Sequence, residues 1–236
     1  MKAFLILTLC FLCMKAVGRG ANNELVMALP VQGNPPYSFA GEHPNKGVYK
    51  ELFGRLFNET PFELSYVYLS NPRIRSNFSE EKIDVECCPI EAWRVNEQDI
   101  SLYTEPLFST RDMLVFADGQ KKVVHSLSGM QVAVIAGYGY KDDHLFERLD
   151  VTSELLILKL VASGRVPVGI VDEQIANYLI KSHQLSVELG QVHEAVERPL
   201  RLHLKHKDKL AEINRAIRKV KAQGVVEKVL GDYVNQ

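Results

Sequence analysis

The chain has 236 residues, 46% of them hydrophobic and 24% charged, with 28 Lys and Arg against 29 Asp and Glu. That is apolar material enough for a sizeable core, and a formal net charge of -1 with no aromatic-interleaved basic stripe excludes the electrostatic footprint of a nucleic-acid binder. Of the four cysteines, Cys10 and Cys13 lie near the N-terminus and Cys87 and Cys88 are adjacent. They offer no structural zinc cluster, and His203 and His206 have no Cys or acidic pair at ligand spacing, so no metal and no cofactor is expected.

In chain order, Met1 and Lys2 precede the apolar run AFLILTLCFLC and the small residues Ala16, Val17 and Gly18. This reads as a secretory signal peptide over residues 1–18, cleaved after Gly18, and too short to cross a bilayer as a helix. Leu25 to Leu29 reads as a strand and QGNPPYSF as a turn. Gly47 to Asn58 places Val48, Leu52, Phe53 and Leu56 at helical spacing, which predicts an amphipathic helix. Phe62 to Leu69 alternates as a strand, Pro72 opens a second helix, and a strand begins at Ile83.

That strand runs into Cys87, Cys88, Pro89, Glu91, Trp93 and Arg94. A guanidinium beside an aromatic ring at a strand end suits a carboxylate, because its planar fork matches the two oxygens. A structural ion pair of Arg94 with Glu91 or Glu97 explains the same residues. Two neighbouring strand cysteines point to opposite faces, so the pair reads as two buried thiols, with Cys88 the one that can face a cleft.

A second α/β series follows Asp118 and Gly119. MQVAVIAGYGY is a buried strand, and a helix expected near Lys141 makes Gly137 to Tyr140 a strand-to-helix junction whose free N–H groups favour an anion. Thr152 to Ser163 reads as a helix, Val166 to Val171 as a strand, and Asp172 to Ser182 as a helix with Asp172 at its N-cap. The basic cluster from Arg198 to Arg218 reads as the solvated face of a terminal helix.

From about Asn23 onward the chain resembles the bacterial extracellular solute-binding proteins of family 3. The likeness rests on PPYSF, the helix after Gly47, KIDVECC before Arg94, SLYTEPLF, LSGMQVAVIAGYGY, GRVPVGIVDEQIANYLI and the ending AEINRAIRKVKAQGVVEKVLGDYV, in that order. It implies an α/β, two-lobed type II periplasmic binding protein fold, each lobe a mostly parallel sheet flanked by helices. Lobe I would span 23–108 plus 205–236, lobe II 117–197, and the hinge strands 109–116 and 198–204.

The resemblance further implies a periplasmic monomer that closes its lobes on a small polar solute, an amino acid or related carboxylate, and passes it to an ABC transporter permease or a membrane sensor. It places Arg94 on the ligand carboxylate, Asp172 on its amino group, Tyr37 as an aromatic wall, and Tyr138 with the N–H groups near Gly139 as a second carboxylate contact. The family's Ser and Thr positions before the Arg are replaced by Cys87, Cys88, Pro89, Ile90 and Glu91. Glu91 and Cys88 therefore join the expected lining, and Glu91 would favour a more cationic ligand or pair with Arg94. Two other readings are an enzyme on this scaffold, with Glu91 and Glu173 as acid or base, and a ligand-free interaction module.

Overall fold

A computed structural model describes residues 23–40 and 46–234; the expected signal peptide lies outside them. The elements are β1 (Glu24–Pro30), β2 (Gly33–Asn34), β3 (Ser38–Phe39), α1 (Val48–Phe57), β4 (Glu63–Leu69), α2 (Asn71–Ser79), β5 (Val85–Cys87), β6 (Ser101–Tyr103), β7 (Phe108–Ala117), β8 (Gln131–Ile135), β9 (Glu147–Val151), α3 (Glu154–Ala162), β10 (Val168–Asp172), α4 (Glu173–His183), β11 (Val187–Arg198), β12 (Leu200–His203), α5 (Leu210–Ala222) and α6 (Val225–Val234).

Two five-stranded sheets organise the chain. The first has the order β4-β1-β5-β12-β6 and the second β11-β7-β10-β8-β9. β1 pairs in parallel with β4 and β5, and β8 with β9 and β10, while β12, β7 and β11 run antiparallel to their neighbours. The sheets are therefore mixed, because the strands that carry the chain between them return in the opposite sense. The chain leaves the first sheet after β6, enters the second along β7, and returns where β11 gives way to β12 across Pro199. This juncture holds the two halves together and leaves a cleft between them.

Each half has its own apolar layer. Leu52, Phe53 and Leu56 of α1 are fully buried, so the helical spacing in the sequence is the face that packs. In the second half α3 buries Ile157, Leu158 and Val161, with Ser153 capping it by accepting from Leu156 N.

Three expectations need correction. No helix starts near Lys141: residues 141–144 form turns, Asp142 takes φ 56°, and Glu147–Val151 is a strand paired with β8. Strand pairing prevailed over the local helix-forming polar residues. The basic run from Arg198 is not one helix face: Arg198 and Arg201 lie in strands, Arg201 is fully buried, and α5 begins only at Leu210. Cys87 and Cys88 are not two separate thiols but a vicinal disulfide. β5 ends at Cys87, so strand alternation no longer separates the two side chains.

Gly169 in β10 marks a close approach to α3, since a Cβ there would press on Ile157 Cγ2 and lie 3.1 Å from Val115 Cγ2. Gly169→Ala should cost about 1–3 kcal/mol by overpacking, read as a lowered urea midpoint with unchanged slope.

Candidate binding cleft

The cleft between the sheets encloses about 960 Å³ of open space, its mouth included. From the first half, Asn34, Tyr37, Tyr49, Glu86, Cys87, Cys88, Trp93 and Arg94 line it; from the second, Asp112, Tyr138, Gly139, Glu154, Asp172 and Arg198. Of the predicted ligand contacts, Arg94, Asp172, Tyr37, Tyr138, Gly139 and Cys88 are thus brought to one cavity. Glu91 is not: it is exposed in a short 3-10 turn (Glu91–Trp93) and forms no part of the lining. Glu173 also stays outside, held by Arg111 at 2.6 Å.

The aromatic wall begins with Tyr37. Its ring stacks on Tyr49 with centroids 5.1 Å apart, and Tyr49 stacks on Phe53 at 5.4 Å, so α1 fixes the wall. The Tyr37 hydroxyl donates across the cleft to Asp172 Oδ2 at 3.4 Å. The Asn34 amide donates to the Tyr138 hydroxyl at 3.1 Å, and Gln32 to the Thr152 carbonyl at 2.8 Å. A Cβ at Gly139 would lie 2.6 Å from Trp93, so these two close the opposite side. The halves are in contact around the cleft.

Tyr138's own N–H is not free for a ligand. Its N–H donates to the Ile135 carbonyl at 3.2 Å, and its carbonyl accepts from Arg148 at 3.1 Å. With no helix following, Gly137–Tyr140 also lacks a helix dipole. The side chain remains a wall, its hydroxyl kept neutral because burial pushes its pKa well up.

Arg94 lies in the cleft wall, but its guanidinium is engaged. Nη2 donates to Glu86 Oε1 at 2.8 Å and Nη1 to the Trp93 carbonyl at 3.3 Å. Glu86 Oε2 accepts from Arg201 at 2.7 Å, and Arg201 reaches Glu97 at 2.7 Å while its guanidinium carbon lies 3.8 Å from the centre of the Phe78 ring. Arg75 completes the chain on Glu97. This buried ladder of alternating charge runs from the surface to the cleft. Arg94 does form a structural ion pair, but with Glu86 and not with Glu91 or Glu97 as expected.

The second half contributes carboxylates that have no such partner. Asp172 Oδ1 caps α4, accepting from Gln174 N at 2.9 Å and Ile175 N at 3.2 Å, while Oδ2 faces the cavity and Tyr37. Burial, with Asp112 nearby, raises its pKa to about 6. Glu154, 5% exposed in the first turn of α3, is raised to about 7 by burial, with Asp172 and Asp112 adding to the shift. Asp112 is raised by burial and pulled back by Arg198 and His193. Asp112, Glu154, Arg198 and Glu86 escaped the sequence reading. The signal for Glu86 and Asp112 was a charged residue inside an otherwise apolar strand; Glu154 looked like an ordinary first-turn acid.

No protein-family model matches the sequence, and no curated protein matches it closely enough to count as a relative. Solved structures do share its fold. The P235GK mutant of ArgBP from T. maritima superposes with a TM-score of 0.74 at 17% identity, covering 91% of this chain and 96% of that one. AbpA from Streptococcus pneumoniae, an amino acid ABC transporter substrate-binding protein bound to L-arginine, gives 0.74 at 15% identity over 91% and 95%. The GluR0 ligand-binding core from Nostoc punctiforme with L-glutamate gives 0.73 at 16% over 89% and 98%. The fold is therefore the type II periplasmic binding fold of amino-acid-binding proteins.

Two outcomes follow from the site's electrostatics. Glu86→Ala would strand Arg94 and Arg201 as buried unpaired charges and should cost about 3–5 kcal/mol, whereas Arg75→Ala, at the exposed end, should cost under about 1 kcal/mol by urea unfolding. Glu154 has a folded pKa raised from 4.5 to about 7, so the folded state holds the extra proton between those values and stability falls as pH rises through that window. Glu154→Gln removes that loss. The variant should gain stability over the parent at pH 8, by roughly 3 kcal/mol, and the gain should vanish at pH 4.

Proposed function

We propose that this protein captures a small, positively charged, amino-acid-like solute by closing its two lobes, without chemistry on it, and hands it to an ABC-type permease or a membrane sensor in the periplasm. The carrying observation is the convergence of buried Asp112 and Glu154 and half-buried Asp172, none with a full counter-ion, on a cleft walled by Tyr37, Tyr49, Tyr138 and Trp93. A buried carboxylate without a partner is held up in pKa by desolvation, and a bound cation repays that cost. Charge is thereby the currency of selection.

The geometry supports closure as the response. Asp172 and Tyr138 come from one half and Tyr37 and Asn34 from the other, so a ligand touching both walls favours the closed form by its differential contacts. Several structural neighbours are described as bound to arginine, which agrees with an acidic wall. Glu91 and Glu173, the acid and base of an enzyme reading, do not line the cavity.

A thermal-shift panel of basic, neutral and acidic amino acids and amines tests this. A basic member at a hundred times its Kd should add about 2.7 kcal/mol of stability, and Asp172→Asn should weaken it at least tenfold. Preference for acidic members, or no response from a folded protein, contradicts the reading. Gly139→Ala, which sets a methyl against the Trp93 ring, should hinder closure: the same ligand should bind about tenfold or more weakly, at a cost of 1–3 kcal/mol for the clash, with little change in the stability of the free protein.

A further inference from the structure

A ligand carboxylate needs a guanidinium with donors to spare, and the cleft holds two candidates. Arg94 is already matched by a buried carboxylate: of its five N–H donors, Glu86 takes one on Nη2 at 2.8 Å and the Trp93 carbonyl one on Nη1 at 3.3 Å, while Nε is buried without a partner. Drawing Arg94 onto a ligand would leave Glu86 a buried carboxylate with half its partners. Arg198 is differently placed. Its Nε donates to the neutral Thr110 hydroxyl at 2.7 Å, its nearest carboxylate oxygen is Asp112 Oδ1 at 3.6 Å from Nη2, beyond hydrogen-bond reach, and its guanidinium carbon lies 5.4 Å from the centre of the Trp93 ring.

We infer that Arg198, and not Arg94, is the residue that holds the carboxylate of the captured solute. This rests on the capture reading and assigns its anionic subsite. Thr110 and the Trp93 ring fix the guanidinium, no hydrogen bond to a carboxylate takes its terminal Nη donors, and the residue lines the cavity. Its charge is also the one that the cleft feels: it pulls down the pKa values of Tyr37, Tyr49 and Tyr138 on the walls and of Asp112 and Asp172. Arg94 acts instead on Tyr103, outside the lining.

The ligand class follows from the groups that remain. With the carboxylate on Arg198, the α-ammonium goes to Asp172 Oδ2. A second basic group meets Glu154 and the Asn34 Oδ1, a buried acceptor without a partner. With Glu86 and Arg94 paired to each other, the three acids and one base that remain in the lining match a solute of net positive charge, a basic α-amino acid, better than a neutral one.

Paired probes that differ only in the carboxylate test the assignment: L-arginine with agmatine, L-lysine with cadaverine, and L-histidine with histamine, titrated calorimetrically into the parent, Arg198→Met, Arg198→Lys and Arg94→Met. The parent should prefer the carboxylate-bearing member of its best pair by about a hundredfold or more, the scale of a desolvated charge pair. Arg198→Met should reduce that ratio to within about threefold by weakening the amino acid alone, and Arg94→Met should keep the preference. Arg198→Lys, which keeps the charge without the fork, should lose at least about tenfold of the ratio and covers the case in which Arg198→Met does not fold. A ratio that survives both Arg198 variants, or that collapses in Arg94→Met, overturns the assignment. Binding of the amines alone sinks the carboxylate anchor and leaves solute capture standing; binding of no probe by the parent contradicts capture itself and the anchor with it.

Discussion

The position of Glu86 between two arginines sets the character of the cleft. Its two carboxylate oxygens are divided between Arg94 and Arg201 at 2.8 and 2.7 Å, and all three side chains are buried. A buried ion pair of this kind is held together less by net gain than by the cost of breaking it. Under the assignment proposed above, Arg94 serves the wall and Arg198 the ligand. With the Arg94 guanidinium paired, Arg198 is the remaining guanidinium in the lining against Asp112, Glu154 and Asp172, and the cavity is left short of positive charge. The proposed selection of a cation rests on this imbalance.

On the proposed reading, the architecture turns a local charge imbalance into a capture device. Because β7 and β11 belong to the second sheet while β12 returns to the first, the two halves are joined by a narrow juncture. The acids sit on the second half and the stacked tyrosines on the first. Among the described residues, the side-chain hydrogen bonds between the walls are few: Gln32 to Thr152, Asn34 to Tyr138 and Tyr37 to Asp172. Contacts of this number are weak against solvent, so a ligand that adds its own on both sides has leverage over the opening.

Much of the fold was legible because it depends on periodicity. Val48, Leu52, Phe53 and Leu56 mark α1 in sequence and are its buried face in space, and Asp172 shows both its readings at once, one oxygen capping α4 and the other turned to Tyr37. What escaped was decided by non-local pairing. The segment after Tyr140 carries helix-tolerant polar residues, yet Glu147–Val151 pairs with β8 over five residues. Arg198 and Arg201 sit in a basic run along the chain, while their partners, Thr110, Asp112, Glu86 and Glu97, lie 86 or more positions away in sequence. Nothing local distinguishes a guanidinium that will be spent on a buried glutamate from one that will face a ligand. Adjacent cysteines likewise read as strand alternation until the strand is seen to end between them.

The most direct test of the central claim is proton linkage in calorimetry of L-arginine binding, run at pH 6.5 in buffers of different ionisation enthalpy. Asp172 and Glu154, with pKa values of about 6 and about 7, share protons with solvent at that pH, and a cation settling beside them must expel part of those protons. The account predicts binding with net proton release that disappears in the double variant Asp172→Asn, Glu154→Gln. Binding without proton exchange, or no binding of a basic solute at all, would contradict it.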